Sequence, residues 1–232
     1  MFVDLGLFDA SPDDTRPWLL WIWVYLQHPR PDGFPDGDEQ PVLGEIENAL
    51  VTAMQSALDA IQVGRITTAG RREFYFYAPA ADGFDAALSS ALAGFPDYRS
   101  DSGAQMDTEW SQYRDFLYPS PMQLLQIRDS HLLETLEQHG DRHEIARPIV
   151  HWAYFKSPTD RDGFLASVEP LGFSVLERST DDELALPFGA SFERTEPIDT
   201  AKVHETTSQL WHLAGEFDGA YDGWETSVER GN

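Results

Sequence analysis

The chain contains no cysteine, which excludes disulfides, thiol chemistry and thiolate metal sites together. Bases are scarce: 16 Lys and Arg stand against 40 Asp and Glu, for a formal net charge of −24. Binding a nucleic-acid backbone needs basic side chains to displace counterions, so direct nucleic-acid binding is disfavoured, and an anionic membrane would repel the chain. Long apolar runs are missing too; the longest, Trp18 to Leu26, falls far short of a bilayer span. Met1 to Pro12 carries Asp4 and Asp9 and no base, unlike a secretory leader, so a cytoplasmic protein is expected. No glycine-rich phosphate loop, dinucleotide fingerprint or nucleophile elbow occurs. No cofactor, metal or catalytic constellation is therefore expected, and the chain reads as a non-enzyme.

What is present is enough for folded cores: 41% hydrophobic and 12% aromatic residues in a chain of 232, sufficient for one large domain or two small ones. The acid excess is even. Residues up to Tyr118 include 19 acids and 7 bases, and the rest 21 and 9, leaving −12 on each side. Such a chain attracts a basic protein in a salt-sensitive way; the plainer reading is that acidity serves solubility.

Along the first half, Trp18 to Leu26 alternates as a strand, with Leu20, Ile22 and Val24 on one face and Trp21, Trp23 and Tyr25 on the other. Leu43, Ile46, Leu50, Met54, Leu58 and Ile61 recur at helical spacing, with Glu45 and Glu47 suited to the first turn. Strands Arg65 to Ala69 and Arg72 to Ala78 are predicted around a Gly70-Arg71 turn, the second carrying Phe74 and Phe76 on one face and Tyr75 and Tyr77 on the other. A helix over Asp82 to Leu92 ends before Gly94. Tyr98 to Ser102 suits a fourth strand, and Trp110, Tyr113, Phe116 and Leu117 have helical spacing.

Ser120-Pro121 with Gln123 begins a helix over Met122 to His139, read as a connector, with Asp141 to Glu144 as a solvated hinge. The order then repeats. Ile149 to Phe155 is a strand, Ser157-Pro158 caps a helix stopped by Gly172, and Phe173 to Arg178 and Leu184 to Arg194 are strand candidates. A helix from near Asp199 leads to Glu216–Glu225, read as a turn, and to a strand over Trp224 to Val228. The fold class is α+β: two tandem ferredoxin-like (βαββαβ) domains joined by a helix. The expected boundaries are 1–119, a connector over 120–144, and 145–232.

Trp21, Trp23, Tyr25, Tyr75 and Tyr77 occupy the places where ferredoxin-like RNA binders stack bases. With only Arg71 and Arg72 nearby, a face packed against protein is the better reading. The pair His139 and His143 is split by Gly140, and Asp32, Asp36, Asp38 and Glu39 miss the calcium-loop spacing, so both tracts read as solvated. His151, His204 and His212 read as structural.

The segment Phe217-Asp218-Gly219-Ala220-Tyr221-Asp222-Gly223-Trp224-Glu225 resembles the C-terminal signature of the regulator of ribonuclease E activity B family, over about residues 145–230. The resemblance implies a ferredoxin-like fold and an acidic protein that binds and inhibits ribonuclease E. Asp218, Tyr221, Asp222, Trp224 and Glu225 become the candidate partner-binding residues. Pro17-Trp18, Gly70 to Tyr77, and Trp110 to Pro119 resemble the bacterial domain family of unknown function 695, which transfers no activity. The leading expectation is a regulator that binds a basic protein, with ribonuclease E as the implied partner. Two rivals stay open: an immunity protein against a basic nuclease toxin, and an enzyme or small-molecule sensor with an interdomain pocket lined by Trp21, Trp23, Tyr75 and Tyr77.

Overall fold

The computed structural model describes residues 1–230; the last two residues of the 145–232 stretch lie outside them. The chain divides into two compact units, Met1–Tyr118 and a second that begins at Pro119. Among the described residues no helix is long and apolar enough to cross a membrane.

In the first unit the elements are β1 (Phe2–Val3), β2 (Trp18–Tyr25), α1 (Glu39–Leu58), β3 (Ile61–Thr68), β4 (Arg71–Ala78), α2 (Phe84–Leu92) and β5 (Ser100–Met106). The sheet runs β1-β3-β4-β2-β5 with every pair antiparallel. Without the short β1 this is the split βαβ order, the first long strand lying beside the third. Leu20, Ile22 and Val24 share a core with Phe74 and Phe76 and with the apolar stripe Leu43, Ile46, Leu50 and Met54 of α1.

Several boundaries move. α1 begins at Glu39, so that residue sits at its positive end and not Glu45 or Glu47, while Ile61 opens β3. The hairpin turns at Ala69 and Gly70, whose φ values of 47° and 75° suit a tight hairpin loop. Arg71 already belongs to β4. The fourth strand begins two residues after Tyr98.

The second unit contains α3 (Pro121–Gln138), β6 (Arg147–Phe155), α4 (Pro158–Val168), β7 (Ser174–Thr180), β8 (Phe188–Glu196), α5 (Thr200–Glu216) and β9 (Gly219–Thr226). Its sheet runs β7-β8-β6-β9, again antiparallel throughout. Side chains of Ser120, Ser157 and Asp199 accept N–H groups of the first helical turns, and Ser120 with Gln123 completes a capping box. Ala153, Phe155, Phe164, Leu165, Phe192, Leu210 and Tyr221 form its main core.

The helix expected to be a connector is instead a third helix of this unit. Its Leu125 enters the main core, and Leu133 and Leu136 pack with Ile149, Val203 and Trp224. The stretch expected to be a solvated hinge is anchored: the buried Asp141 carboxylate pairs with Arg147 at 2.6 Å and accepts the Glu229 N–H.

Candidate protein-binding surface

The stretch 216–225 is mostly strand. The chain reverses at Phe217–Asp218, where Asp218 has φ 50°, and β9 starts at Gly219. β9 pairs Tyr221 with Ala153 and Gly223 with Trp152, which leaves Asp222 as the extra residue of a β-bulge. In a regular strand, residues three apart face opposite sides. The bulge cancels that alternation, and Tyr221 and Trp224 both turn inward, 7% and 8% exposed. Gly223 takes φ 134° at this bend, where L side chains rarely go.

Inside, the two aromatics tie the edge strand to the rest of the unit. The Tyr221 hydroxyl and His151 Nδ1 are hydrogen-bonded at 2.8 Å. His151 stacks on Phe192 and meets the edge of Phe173. Burial lowers its pKa from 6.5 to about 3, with the Arg194 charge pushing the same way and Glu196 opposing. It is a neutral core residue, as its strand position suggested. Trp224 Nε1 donates to Asp129 Oδ1 at 2.8 Å, and Thr207 Oγ1 donates to Asp129 Oδ2 at 2.6 Å. Desolvation raises the Asp129 pKa while these two donors oppose it. One carboxylate thus joins α3, α5 and β9.

The five signature candidates therefore separate. Tyr221 and Trp224 are core, whereas Asp218, Asp222 and Glu225 are exposed. Asp218 lies 3.8 Å from Lys156, both in solvent, an arrangement of little energetic weight. Glu225 lies across Val150 from Glu193, and Trp152 lies between Ser191 and Gly223, with Glu177 beyond Ser191. Val150, Trp152 and Tyr154 are half-buried on this outer face. Leu184, Ala185 and Leu186 border a groove beside Tyr154 and Asp222. Among the described residues, Glu177, Glu193, Asp222 and Glu225 make no ion pair. The result is an aromatic strip with acids on both sides.

The aromatic face of the first unit is different. Tyr75 and Tyr77 are buried with Leu19 and Val63 beneath Trp110, Tyr113 and Leu117. Trp110 stacks on Tyr77 with centroids 4.1 Å apart and donates Nε1–H to the Arg16 carbonyl. It sits at φ 55°, a costly conformation for a bulky residue, ahead of a short π-helical segment, Gln112–Leu117. Tyr75 and Tyr77 are therefore not an open stacking platform or pocket wall: the chain folds back over them. Trp21, Trp23 and Tyr25 remain half-buried, with the Arg71 and Arg99 guanidinium groups 4.2 and 3.6 Å from the Trp23 and Tyr25 rings. Arg72, expected nearby, points the other way and donates to Gln40 on α1.

Sequence reasoning missed Asp129 and Thr207, because a polar residue on a helix carries no mark of the partner that buries it. Trp152 and Tyr154 were within reach, since β6 alternates and their outward positions follow from counting by two.

Residues 1–118 match the model of a family of unknown function, DUF695, and residues 126–226 match that of regulator of ribonuclease activity B. The second match begins within α3, earlier than the resemblance read from sequence. At family level this second match supports a regulator of ribonuclease activity. No curated protein matches. Among solved structures, the crystal structure of an unknown protein from Galdieria sulphuraria is similar at 12% identity, covering 91% of this chain and 99% of that chain, with a TM-score of 0.25. An overlap that low bears on neither fold nor function.

Proposed function

We propose, because this chain belongs to the DUF695 family and its second half is similar to the regulators of ribonuclease activity B, that it restrains a ribonuclease of the ribonuclease E type by binding a basic region of it. The observation that carries this reading is the outer face of the second sheet. There Trp152 and Tyr154 supply apolar area, and Glu177, Glu193, Asp222 and Glu225 supply negative charge that no internal base neutralises among the described residues. Aromatic area provides contact at low entropic cost, and unpaired acids steer a basic partner to it. The formal charge of −24 favours a protein's basic segment over RNA itself. Asp218, Asp222 and Glu225 act as contacts in this reading, while Tyr221 and Trp224 hold the strand that presents them.

Purified protein is expected to slow RNA cleavage by ribonuclease E from the same host and to form a complex with it. Protection should weaken as salt rises through the range where the screening length falls below about 10 Å. Undiminished cleavage with no complex at low salt would overturn the proposal.

A further inference from the structure

Three strand glycines are glycine because a neighbour occupies the space of a side chain. A Cβ at Gly103 would lie 2.6 Å from Trp21, one at Gly189 would lie 2.3 Å from Ser179 Oγ and 3.2 Å from Tyr154, and one at Gly219 would lie 2.3 Å from Phe155. Gly223 differs. Nothing lies within 4 Å of its missing Cβ, and it lines a groove of about 280 Å³ that crosses the bulged edge strand from α3 to Trp152. Leu125 and Leu132 supply apolar surface on the α3 wall, Trp152 stands at the far side, and the Asp222 and Glu225 carboxylates border the β9 side. Neither acid makes an ion pair among the described residues, and Asp129 in the same groove is occupied by Trp224 and Thr207. Arg128 also stands on the α3 wall and offsets part of that negative charge.

We propose that this groove receives one arginine side chain from a basic segment of the ribonuclease, an inference that rests on the function proposed above. An arginine uses each wall. Its methylene stem lies along leucines, its planar guanidinium stacks on tryptophan, and its fork of N–H donors meets carboxylates. Lysine presents a compact, strongly hydrated charge that gains little from stacking. The bulge is what joins these groups. It leaves Asp222 on the outside next to a residue without a side chain, so Trp152 stays within reach between the acids.

The test is a fluorescence-anisotropy titration of the full chain with two labelled peptides, one alternating arginine with glycine and one alternating lysine with glycine. The arginine peptide is expected to bind about fivefold tighter. Asp222→Asn with Glu225→Gln should weaken arginine-peptide binding by about tenfold and remove that preference, with an unchanged melting temperature. Glu169→Gln with Glu205→Gln removes the same charge from exposed sites elsewhere on the unit and should cost less than about twofold. Equal losses in the two charge-matched variants, or equal affinity for the two peptides, would overturn the groove. So would a complex with ribonuclease E that the Asp222/Glu225 variant forms undiminished. Arginine-selective peptide binding without any ribonuclease complex supports the groove and counts against the proposed function.

Discussion

Apart from the short β1, the two sheets share one strand order, and they treat their outer faces in opposite ways. In the first, β4 is aromatic on both sides: Phe74 and Phe76 meet the helices, and Tyr75 and Tyr77 are covered by Trp110, Tyr113 and Leu117. In the second, β8 sends Ala190 and Phe192 inward and Ser191, Glu193 and Thr195 outward. The first sheet uses both faces for its own stability, as a strand apolar on both sides requires. The second uses one face for stability and leaves the other available for contact. Acids on the two outer faces differ as well. In the first unit Glu73 is buried, accepting the Tyr75 hydroxyl at 2.5 Å and pairing with Arg71. Among the described residues, Glu177, Glu193, Asp222 and Glu225 on the second sheet have no such partners.

The strongest way to break this comparison is to truncate an aromatic on each outer face. Trp110→Ala, at a fully buried ring, is expected to destabilise the first unit by about 3–5 kcal/mol in urea unfolding. Trp152→Ala on the half-buried face of the second should cost about 1 kcal/mol or less. Similar costs at both would erase the distinction.

Acid should separate the units next. His151 has a folded-state pKa of about 3 against 6.5 unfolded, so the unfolded chain takes up the proton first. The stability this group contributes is full above pH 6.5 and is lost as pH falls toward 3, on the order of 5 kcal/mol in all. The first unit has one histidine, His28, and it is exposed. Thermal melts at stepped pH should therefore show the second unit weakening first within this window, and His151→Gln should flatten the slope. An unchanged slope in that variant would assign the effect to other groups.

A smaller change sharpens the reading of the signature. Trp224→Phe keeps most of the ring and removes the donor to Asp129, at an expected cost of about 1–3 kcal/mol with partner binding retained. Loss of binding at unchanged stability would return Trp224 to the contact surface.

Much of the fold was legible because its signals are local. Ser120, Ser157 and Asp199 announce helix starts through hydrogen bonds to residues three positions on. The alternation in Trp18 to Tyr25 names its two faces correctly, because that strand carries no bulge. Of the candidate site, the acids Asp218, Asp222 and Glu225 were read from sequence, and the outward Trp152 and Tyr154 could have been from the alternation of β6. Tyr221 and Trp224 looked like neighbours of those acids, and a single inserted residue turns Trp224 to the inner side that Tyr221 already faces.

The sequence by itself determined the kinds of element, their order in two similar halves, and an acidity that favours basic partners. Periodicity and charge are properties of neighbouring residues, so they survive without a structure. Only the tertiary structure decided which aromatics are core, that α3 completes the second unit, and that Asp129 joins three elements. Those outcomes depend on contacts between residues tens of positions apart, such as Trp110 with Tyr77 and Trp224 with Asp129. No local pattern specifies which distant segment will cover a given face.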